Sequence, residues 1–207
     1  MAQALCVARL SWRQTDLTSL EPISLTSPLS ITFGQTRLPF PSDSFLQATP
    51  AGEQALIEFV SNHTKSDGRV LDLFCGLGTF GLSLEKTKQL LFSDSDGLAS
   101  ETLELALKST NRAEVEQRNL FKEPFTAQEC NDFDTIIFDP PRNGAKAQAQ
   151  EIANSNVPNV IAISCSPKSF VRDAKILMGS GYKLEVIQPV DQFLWSHHME
   201  LAAYFRK

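Results

Sequence analysis

Two kinds of apolar segment alternate along the chain from residue 50 to its end. Short β-type runs predict strands near residues 69–74, 89–93, 114–118, 134–138, 158–164, 182–188 and 199–205. Segments with helical spacing predict helices near residues 50–62, 78–86, 97–109, 145–154 and 168–179. This alternation is typical of a doubly wound α/β fold with a seven-stranded parallel sheet, in which ligands bind at the carboxyl ends of the strands.

Residues 1–46 have a different pattern. Their β-type runs, from Leu5 to Trp12 and from Leu29 to Phe33, are interrupted by prolines and show no helical period. Aromatic and β-branched residues are too frequent for a disordered leader. We therefore expect a short β-type appendage at 1–46, followed by the α/β domain at 47–207.

The composition narrows the classes of function. A length of 207 residues suits one α/β domain with a short appendage, and therefore one active site. The formal net charge of -5 does not indicate a nucleic-acid binder, so any RNA contact must be local or must be helped by another segment. No apolar run reaches the roughly 18 residues of a membrane span, and no membrane partner is expected.

The cysteines are scattered, with no C-x-x-C pair and no signal peptide before them, which indicates reduced thiols in a cytoplasm. They are Cys6, Cys75, Cys130 and Cys165. Neither these cysteines nor the three histidines have the spacing of a metal site.

The stretch from Val70 to Gly81 predicts a buried strand that runs into a glycine loop and then a helix. Its glycines fit the pattern G-x-G-x-x-G, in which missing side chains let the backbone turn tightly and approach a ligand. A dinucleotide dehydrogenase would use the same loop, and Asp94 would suit a ribose in either case. Asp72 favours S-adenosylmethionine over a dinucleotide. A carboxylate inside an apolar strand is costly unless it meets backbone donors or a polar or cationic ligand, such as the amino group of that cofactor.

Two motifs follow later strands and are therefore predicted at the binding edge of the sheet. In Asp139-Pro140-Pro141-Arg142 the prolines forbid helix and stiffen the turn, although a plain strand-to-helix turn capped by Asp139 would show the same residues. Ser164-Cys165-Ser166-Pro167 places a thiol at the same edge, although a cysteine after an apolar strand is more often a small buried residue. Cys75 is assigned to that buried class.

Together with a polar and aromatic cluster before the last strand, these motifs resemble the catalytic domain of the RNA uridine carbon-5 methyltransferases. These enzymes make 5-methyluridine in transfer and ribosomal RNA. The resemblance runs from about residue 44 to the end, with five motifs in the family's order. They are Phe45-Leu46-Gln47, Leu71 to Phe80, Asp139 to Arg142, Ser164 to Pro167, and the set Asp191, Phe193, His198 and Glu200. An alternative interpretation of His197 and His198 is an incidental surface pair.

The resemblance implies a class I methyltransferase (Rossmann-like) fold, S-adenosylmethionine as the cofactor, and a uridine of rRNA or tRNA as the substrate. The implied catalytic residues are Cys165 and Glu200, and the implied substrate-binding residues are Gln47, Asp139, Arg142 and His198. The implied cofactor-binding residues are Gln47, Asp72, Phe74, Gly76, Gly78, Thr79, Asp94, Asn119 and Asp139.

In the implied mechanism the Cys165 thiolate adds to carbon 6 of uracil, because carbon 5 alone is too poor a nucleophile to take a methyl group. The enolate then attacks the methyl group of S-adenosylmethionine, Glu200 removes the carbon-5 proton, and elimination releases Cys165. A free thiol has a pKa of about 8.5, so Cys165 should need a positive or hydrogen-bonding environment, for which Arg142 is the nearest candidate. Asp139 and Gln47 would hold the uracil edge once the base has left its stack.

The chain departs from the family pattern at Ser166, usually Asn, at Asn119, where an acidic residue is common, and at Leu194-Trp195, usually Pro-His. Full-length members also carry an N-terminal RNA-binding β-barrel domain and a central domain, and some carry an iron–sulfur cluster. Only a remnant of the central region is expected here, so we expect weak RNA binding, a monomer, and full activity only with an RNA-binding partner or a small accessible substrate. Two alternatives stay open. The chain could methylate another base or a protein, or it could be a non-catalytic module that keeps only cofactor affinity.

Overall fold

A computed structural model describes residues 7–15, 20–84, 87, 89–193, 195–196 and 198–207. Leu5, Cys6, Leu194 and His197, which the sequence analysis names, lie outside these described residues. Within them the helices are Pro50–His63 (α1), Thr79–Leu82 (α2), Gly97–Leu107 (α3), Ala127–Cys130 (α4), Lys146–Asn154 (α5) and Pro167–Gly179 (α6). The strands are Arg9–Trp12 (β1), Glu21–Leu25 (β2), Ser30–Phe33 (β3), Thr36–Pro39 (β4), Arg69–Leu73 (β5), Gln89–Asp94 (β6), Ala113–Gln117 (β7), Thr135–Phe138 (β8), Asn159–Ser164 (β9), Lys183–Val190 (β10) and Glu200–Arg206 (β11).

Seven of the described strands form one sheet in the order β10-β11-β9-β8-β5-β6-β7. Strands β5 to β9 pair in parallel, whereas β11 is antiparallel to both β9 and β10. The predicted seven-stranded α/β fold is confirmed, but the expectation of a wholly parallel sheet is wrong. The link between β10 and β11 contains no crossover helix among its described residues, and a short link of this kind joins antiparallel strands.

The elements that the sequence did not predict are short. β2, β4 and α4 have four or five residues each, too few for a periodic pattern to show. β2 and β4 exist because they pair with β1 and β3 in two antiparallel hairpins. Helix α2 ends at Leu82, before the predicted residue 86.

Buried side chains form one layer on each face of the sheet. Helices α1 and α3 pack on the first layer, while α5 and α6 pack on the second. Strand β5 shows the alternation, since Val70 belongs to the first layer and Leu71 and Leu73 to the second. Asp72, between them, therefore points to the first face. Among the described helices, none is long and apolar enough to cross a membrane.

The β3–β4 hairpin lies within the predicted appendage and yet packs into the first buried layer. Phe33 and Leu38 are almost fully buried there. Burying each such side chain contributes about 1.5–3 kcal/mol. The domain boundary at residue 46 stays a prediction, and this hairpin completes the core beneath α3.

Candidate active site

A cavity of about 720 Å³ opens at the carboxyl ends of the parallel strands. Its walls come from the loops after β5, β6, β7, β8 and β9, the segment before α1, and the turn before β11. The predicted site residues that line it are Gln47, Phe74, Gly76, Asp94, Asp139, Arg142, Cys165, His198 and Glu200. The fold therefore brings together most of the predicted site from distant parts of the chain.

Strand register sets Cys165 and Glu200 side by side. Strand β11 runs antiparallel to β9 with Leu201 opposite Ser164, so the next residues outward, Glu200 and Cys165, are neighbours. Glu200 is only 4% exposed, whereas Cys165 is partly exposed in the cavity wall. A potential nucleophile and a potential proton acceptor thus adjoin the same cavity.

Burial raises the pKa of the Cys165 thiol, and the charges of Glu200 and Asp139 raise it further. The charge of Arg142 lowers this pKa, as the sequence analysis expected, but by less. The surroundings of Cys165 therefore favour the protonated thiol, and the role of Arg142 in ionising it stays a prediction. The physical reason is that two neighbouring carboxyl groups and desolvation outweigh one exposed guanidinium.

The carboxyl groups of Asp139 and Glu200 also hold their protons more tightly than usual. Burial raises the pKa of Asp139 well above its ordinary value, with Glu200 and Asp72 adding to the rise. Burial likewise raises the pKa of Glu200, while a hydrogen bond with the Gln192 side chain lowers it. Carboxyl groups with raised pKa values in a cavity are a property of general acid–base sites.

Gln192 is a part of the site that the sequence analysis did not assign. It is 4% exposed, and its Nε2 donates a hydrogen bond to Gln47 Oε1 at 2.7 Å. Gly52, in the first turn of α1, leaves room for it, because a Cβ there would lie 2.5 Å from Gln192 Oε1. Gln192 therefore connects two residues of the predicted site, Gln47 and Glu200. Its position inside the Asp-x-Phe motif is the only sequence signal for it.

The glycine loop after β5 uses its glycines for two different purposes. Gly76 and Gly78 both have positive φ, at 52° and 79°. A Cβ on Gly76 would have no atom within 4 Å, so this residue presents bare backbone to the cavity. A Cβ on Gly78 would lie 3.1 Å from the side chains of Leu103 and Phe92. Gly76 therefore leaves space for a ligand, and Gly78 allows tight packing beneath the loop.

Asp94 fixes the cavity side of this loop. Its Oδ2 accepts the Gly76 N–H at 2.9 Å, and its Oδ1 accepts the Asp96 N–H at 2.9 Å. Each carboxylate oxygen has a second lone pair that can accept another hydrogen bond. The arrangement suits recognition of hydroxyl groups such as those of a ribose.

Four predicted cofactor-binding residues, Asp72, Gly78, Thr79 and Asn119, are not among the described residues that line the cavity. Asp72 is fully buried beneath the loop, where its Oδ2 accepts the Gly81 N–H at 2.9 Å. The backbone donor expected for Asp72 is thus the Gly81 N–H, and burial raises the pKa of Asp72 to about 7. Thr79 begins α2 with a partly exposed side chain.

Asn119 is exposed, and its Oδ1 accepts the N–H groups of Phe121 and Lys122. Its side chain therefore stabilises a turn, and the following Phe121 lines the cavity in its place. The Phe121 ring centroid lies 5.4 Å from that of Phe74. The rule that ligand contacts follow strand ends could have indicated Phe121, since it comes four residues after β7.

Arg142 and His198 meet at the rim of the cavity. Arg142 Nη2 lies 2.8 Å from both ring nitrogens of His198, and the His198 ring packs edge-on against Phe193. This contact joins the loop after β8 to the turn before β11. Phe45, which is 74% exposed, also lines the cavity.

The chain is similar in sequence to RNA methyltransferases. Residues 111–207 match the family tRNA (Uracil-5-)-methyltransferase. An uncharacterized RNA methyltransferase of Mesorhizobium japonicum is 41% identical over 180 residues, covering 86% of this chain and 44% of the relative. The 23S rRNA (uracil(1939)-C(5))-methyltransferase RlmD of Vibrio parahaemolyticus is 31% identical over 182 residues, covering 83% of this chain and 40% of the relative. The chain thus spans less than half the length of these two relatives.

Solved structures show the same fold. The Pyrococcus abyssi tRNA (uracil-54, C5)-methyltransferase, in complex with S-adenosyl-L-homocysteine, superposes with a TM-score of 0.77 at 23% identity, covering 96% of this chain and 51% of that one. M. jannaschii TYW2, in complex with AdoMet, gives a TM-score of 0.69 at 12% identity, covering 98% and 95%. The fold is that of the class I methyltransferases, and residues 111–207 are similar in sequence to the tRNA (Uracil-5-)-methyltransferase family.

Proposed function

We propose that this chain transfers a methyl group from S-adenosylmethionine to carbon 5 of a uridine in rRNA or tRNA. The observation that carries the proposal is the register of β9 and β11, which makes Cys165 and Glu200 neighbours at a cavity that also contains the glycine loop. The family match and the relative named for 23S rRNA support the uridine of an RNA as the substrate.

The cavity residues fit S-adenosylmethionine. Gly76 offers open backbone, Asp94 offers acceptor oxygens for ribose hydroxyls, and Phe74 and Phe121 offer aromatic surface for an adenine. The carboxyl groups around the cavity suit a ligand with a positive sulfonium. When bound, this cofactor supplies the methyl group.

The chain's own residues would perform the remaining steps. The Cys165 sulfur, once deprotonated, forms a bond to carbon 6, and the electron pair of the carbon 5–carbon 6 double bond moves into the enolate. After methylation Glu200 takes the proton from carbon 5, the sulfur–carbon 6 bond breaks, and the double bond is restored. The raised pKa of Glu200 makes its ionised form a stronger base.

The test compares Cys165→Ala with Glu200→Gln on uridine-containing RNA with a labelled cofactor methyl group. Cys165→Ala should abolish both turnover and the protein–RNA adduct, because no enolate forms without addition at carbon 6. Glu200→Gln should accumulate a methylated adduct that survives a denaturing gel, since loss of a general base costs about 10²–10⁴-fold in rate. Cys130→Ala, a buried cysteine outside the cavity wall, is the control and should keep turnover.

Each result that contradicts these expectations would favour a different hypothesis. Normal turnover by Glu200→Gln would transfer the role of base to His198 or to a water held by Asp139. Methylation of uridine by Cys165→Ala would exclude the covalent mechanism. An intact Cys165 that forms no adduct with 5-fluorouridine RNA would favour another base or a protein as the substrate.

Cofactor binding is tested separately by calorimetry with S-adenosylmethionine and its demethylated product. Binding without methyl transfer to any RNA would favour the non-catalytic module. No binding of either molecule at millimolar concentration would overturn the proposal. A preference for a nicotinamide dinucleotide would favour the alternative that the glycine loop belongs to a dinucleotide dehydrogenase.

A further inference from the structure

Charged side chains are divided between the two flanks of the cavity. The flank formed by the loop after β8 and by α5 and α6 carries exposed cations, namely Arg142, Lys146, Lys168 and Lys175, which we call the basic flank. The flank formed by the end of β6 and by α3 carries carboxylates, namely Asp94, Asp96, Glu101 and Glu104. The acidic net charge of the whole chain hides this local division.

The basic flank is one continuous surface. The loop that carries Arg142 packs on the first turn of α6, where Ser169 Oγ donates to the Arg142 carbonyl at 2.9 Å. Lys146 begins α5 at the end of that loop, and Lys168 directly precedes Ser169. Lys175, seven residues after Lys168, lies on the same face of α6, about 10 Å further along the helix. Because Arg142 also lines the cavity, the surface starts at its mouth.

Among the described residues, the three lysines of the basic flank lack the ion pairs that five other cations make, namely Arg13, Lys65, Arg118, Arg172 and Arg206. In the described part of the chain no salt bridge includes Lys146, Lys168 or Lys175. Elsewhere Arg118 pairs with Glu129 and Arg206 pairs with Glu185. The positive charge of the basic flank is therefore not neutralised by these carboxylates.

Two of these lysines also oppose the local electrostatics of their helices. Lys146 and Lys168 lie in the first turns of α5 and α6, and neither first turn contains an acidic residue. The N-terminal end of a helix carries partial positive charge, which disfavours a cation there. Helix stability thus gives no reason for these lysines, whereas an anionic partner would.

We propose that the basic flank binds the phosphate backbone of the RNA strand whose uridine enters the cavity. This inference rests on the proposed function, and it identifies the surface through which an acidic chain contacts RNA. Phosphate contacts fix the register of a nucleic acid on a protein without reading its sequence. The acidic flank repels the same backbone, so it directs the strand toward α5 and α6.

The test compares two double variants with the same change in charge. The basic-flank variant combines Lys146→Glu with Lys168→Glu, and the control variant combines Lys108→Glu with Lys183→Glu. The control lysines are exposed and lie at the amino ends of the parallel strands, away from the cavity, at the end of α3 and the start of β10. Binding of a fluorescent single-stranded oligouridylate is measured by anisotropy at several salt concentrations. The basic-flank variant should bind about tenfold more weakly, with a salt slope shallower by about 1.4 for two lost contacts. The control should stay within about twofold of the unmodified chain.

Thermal unfolding of the same proteins separates binding from folding. Glutamate suits the first turn of a helix, so the basic-flank variant should melt at the same temperature or higher while its RNA affinity falls. Equal losses in both variants, unchanged affinity in both, or no RNA binding by the unmodified chain at low salt would overturn the inference. Competition by polyglutamate as strong as by RNA would also overturn it, in favour of an acidic protein partner.

Methyl transfer distinguishes this inference from the proposed function. If RNA binding depends on Lys146 and Lys168 but no uridine is methylated, the proposed reaction is wrong while the inference about the basic flank is supported. If uridine is methylated and both double variants bind RNA as tightly as the unmodified chain, the inference about the basic flank is wrong while the proposed reaction is supported.

Discussion

Gln192 Nε2 donates a 2.7 Å hydrogen bond to Gln47 Oε1, and this contact holds the turn before β11 against the segment before α1. Gln192 also hydrogen-bonds Glu200 and thereby lowers the pKa of that carboxyl group. One buried amide thus supports both the proposed base and a residue of the proposed substrate site. Its loss should therefore affect two measurable properties, the pH profile of turnover and the stability of the fold.

We predict that Gln192→Met raises the pKa of Glu200, because the hydrogen bond that stabilises its carboxylate is lost while burial stays. The acid limb of kcat/KM against pH should move to higher pH. The free energy of unfolding should fall by about 1–3 kcal/mol. Gln188→Met, on the exposed part of β10, is the matched control for both measurements. A stability loss with an unmoved acid limb would leave Gln192 with a purely structural role.

The Cys165 thiol provides a second prediction. Its pKa is raised by burial, then by Glu200 and Asp139, and lowered by Arg142. Alkylation of Cys165 by iodoacetamide should therefore accelerate only at a pH above the ordinary thiol range near about 8.5. Glu200→Gln should lower the pH at which the rate rises, and Arg142→Ala should increase it. Peptide mass spectrometry assigns the alkylation to Cys165 and separates it from the other cysteines.

The two variants act in opposite directions, so a general loosening of the site cannot imitate the result. An identical shift in both, or a midpoint below that of a free thiol in the unmodified chain, would contradict the charge balance described for Cys165. The latter result would support Arg142 as the group that ionises the thiol.

The sequence predicts the α/β fold well because the spacing of apolar residues in long, periodic segments indicates which faces of the helices and strands are buried. It also predicts that Cys165 and Glu200 belong to one site, since both occur in family motifs. It does not predict the pKa of Cys165, because that value depends on the distances to Asp139 and Glu200 and on burial. Gln192 is missed for a similar reason, since its importance comes from contacts with Gln47 that lies 145 residues away in the chain.

The glycine loop allows a third prediction, in which two similar substitutions have different effects. Gly76→Ala places its Cβ in open space at a positive φ, so it should cost about 1 kcal/mol in unfolding free energy. Gly78→Ala has the same backbone strain and also crowds Leu103 and Phe92 at 3.1 Å, so it should cost about 1–3 kcal/mol more. Urea unfolding measures both.

Cofactor affinity should show the reverse order, with Gly76→Ala having the larger effect and Gly78→Ala the smaller. Gly76→Ala puts a methyl group into the space proposed for the cofactor, so calorimetry should show a large loss of S-adenosylmethionine affinity from a still folded protein. Gly78→Ala, measured at a temperature where it is folded, should lose less affinity. If Gly76→Ala binds as tightly as the unmodified chain, the cofactor does not approach the backbone at this residue.

Asp72 gives the last prediction, because its pKa is raised by burial from 3.8 to about 7 in the folded chain. Between these pH values the folded chain keeps a proton that the unfolded chain has released, so raising the pH destabilises the fold through this group. The contribution is favourable at low pH and is lost as the pH rises from about 4 to about 7. Asp72→Asn retains an oxygen that can accept the Gly81 N–H and carries no charge.

We therefore expect the unmodified chain to lose roughly 2–3 kcal/mol more unfolding free energy between pH 5 and pH 8 than Asp72→Asn loses. Urea unfolding at both pH values, without cofactor, measures this difference. Asp132→Asn removes a carboxylate from an exposed position and should follow the unmodified chain. Parallel stability curves for all three proteins would show that Asp72 is ionised in the folded state. An Asp72 that is ionised without cofactor would already carry the charge that the cofactor amino group can pair with.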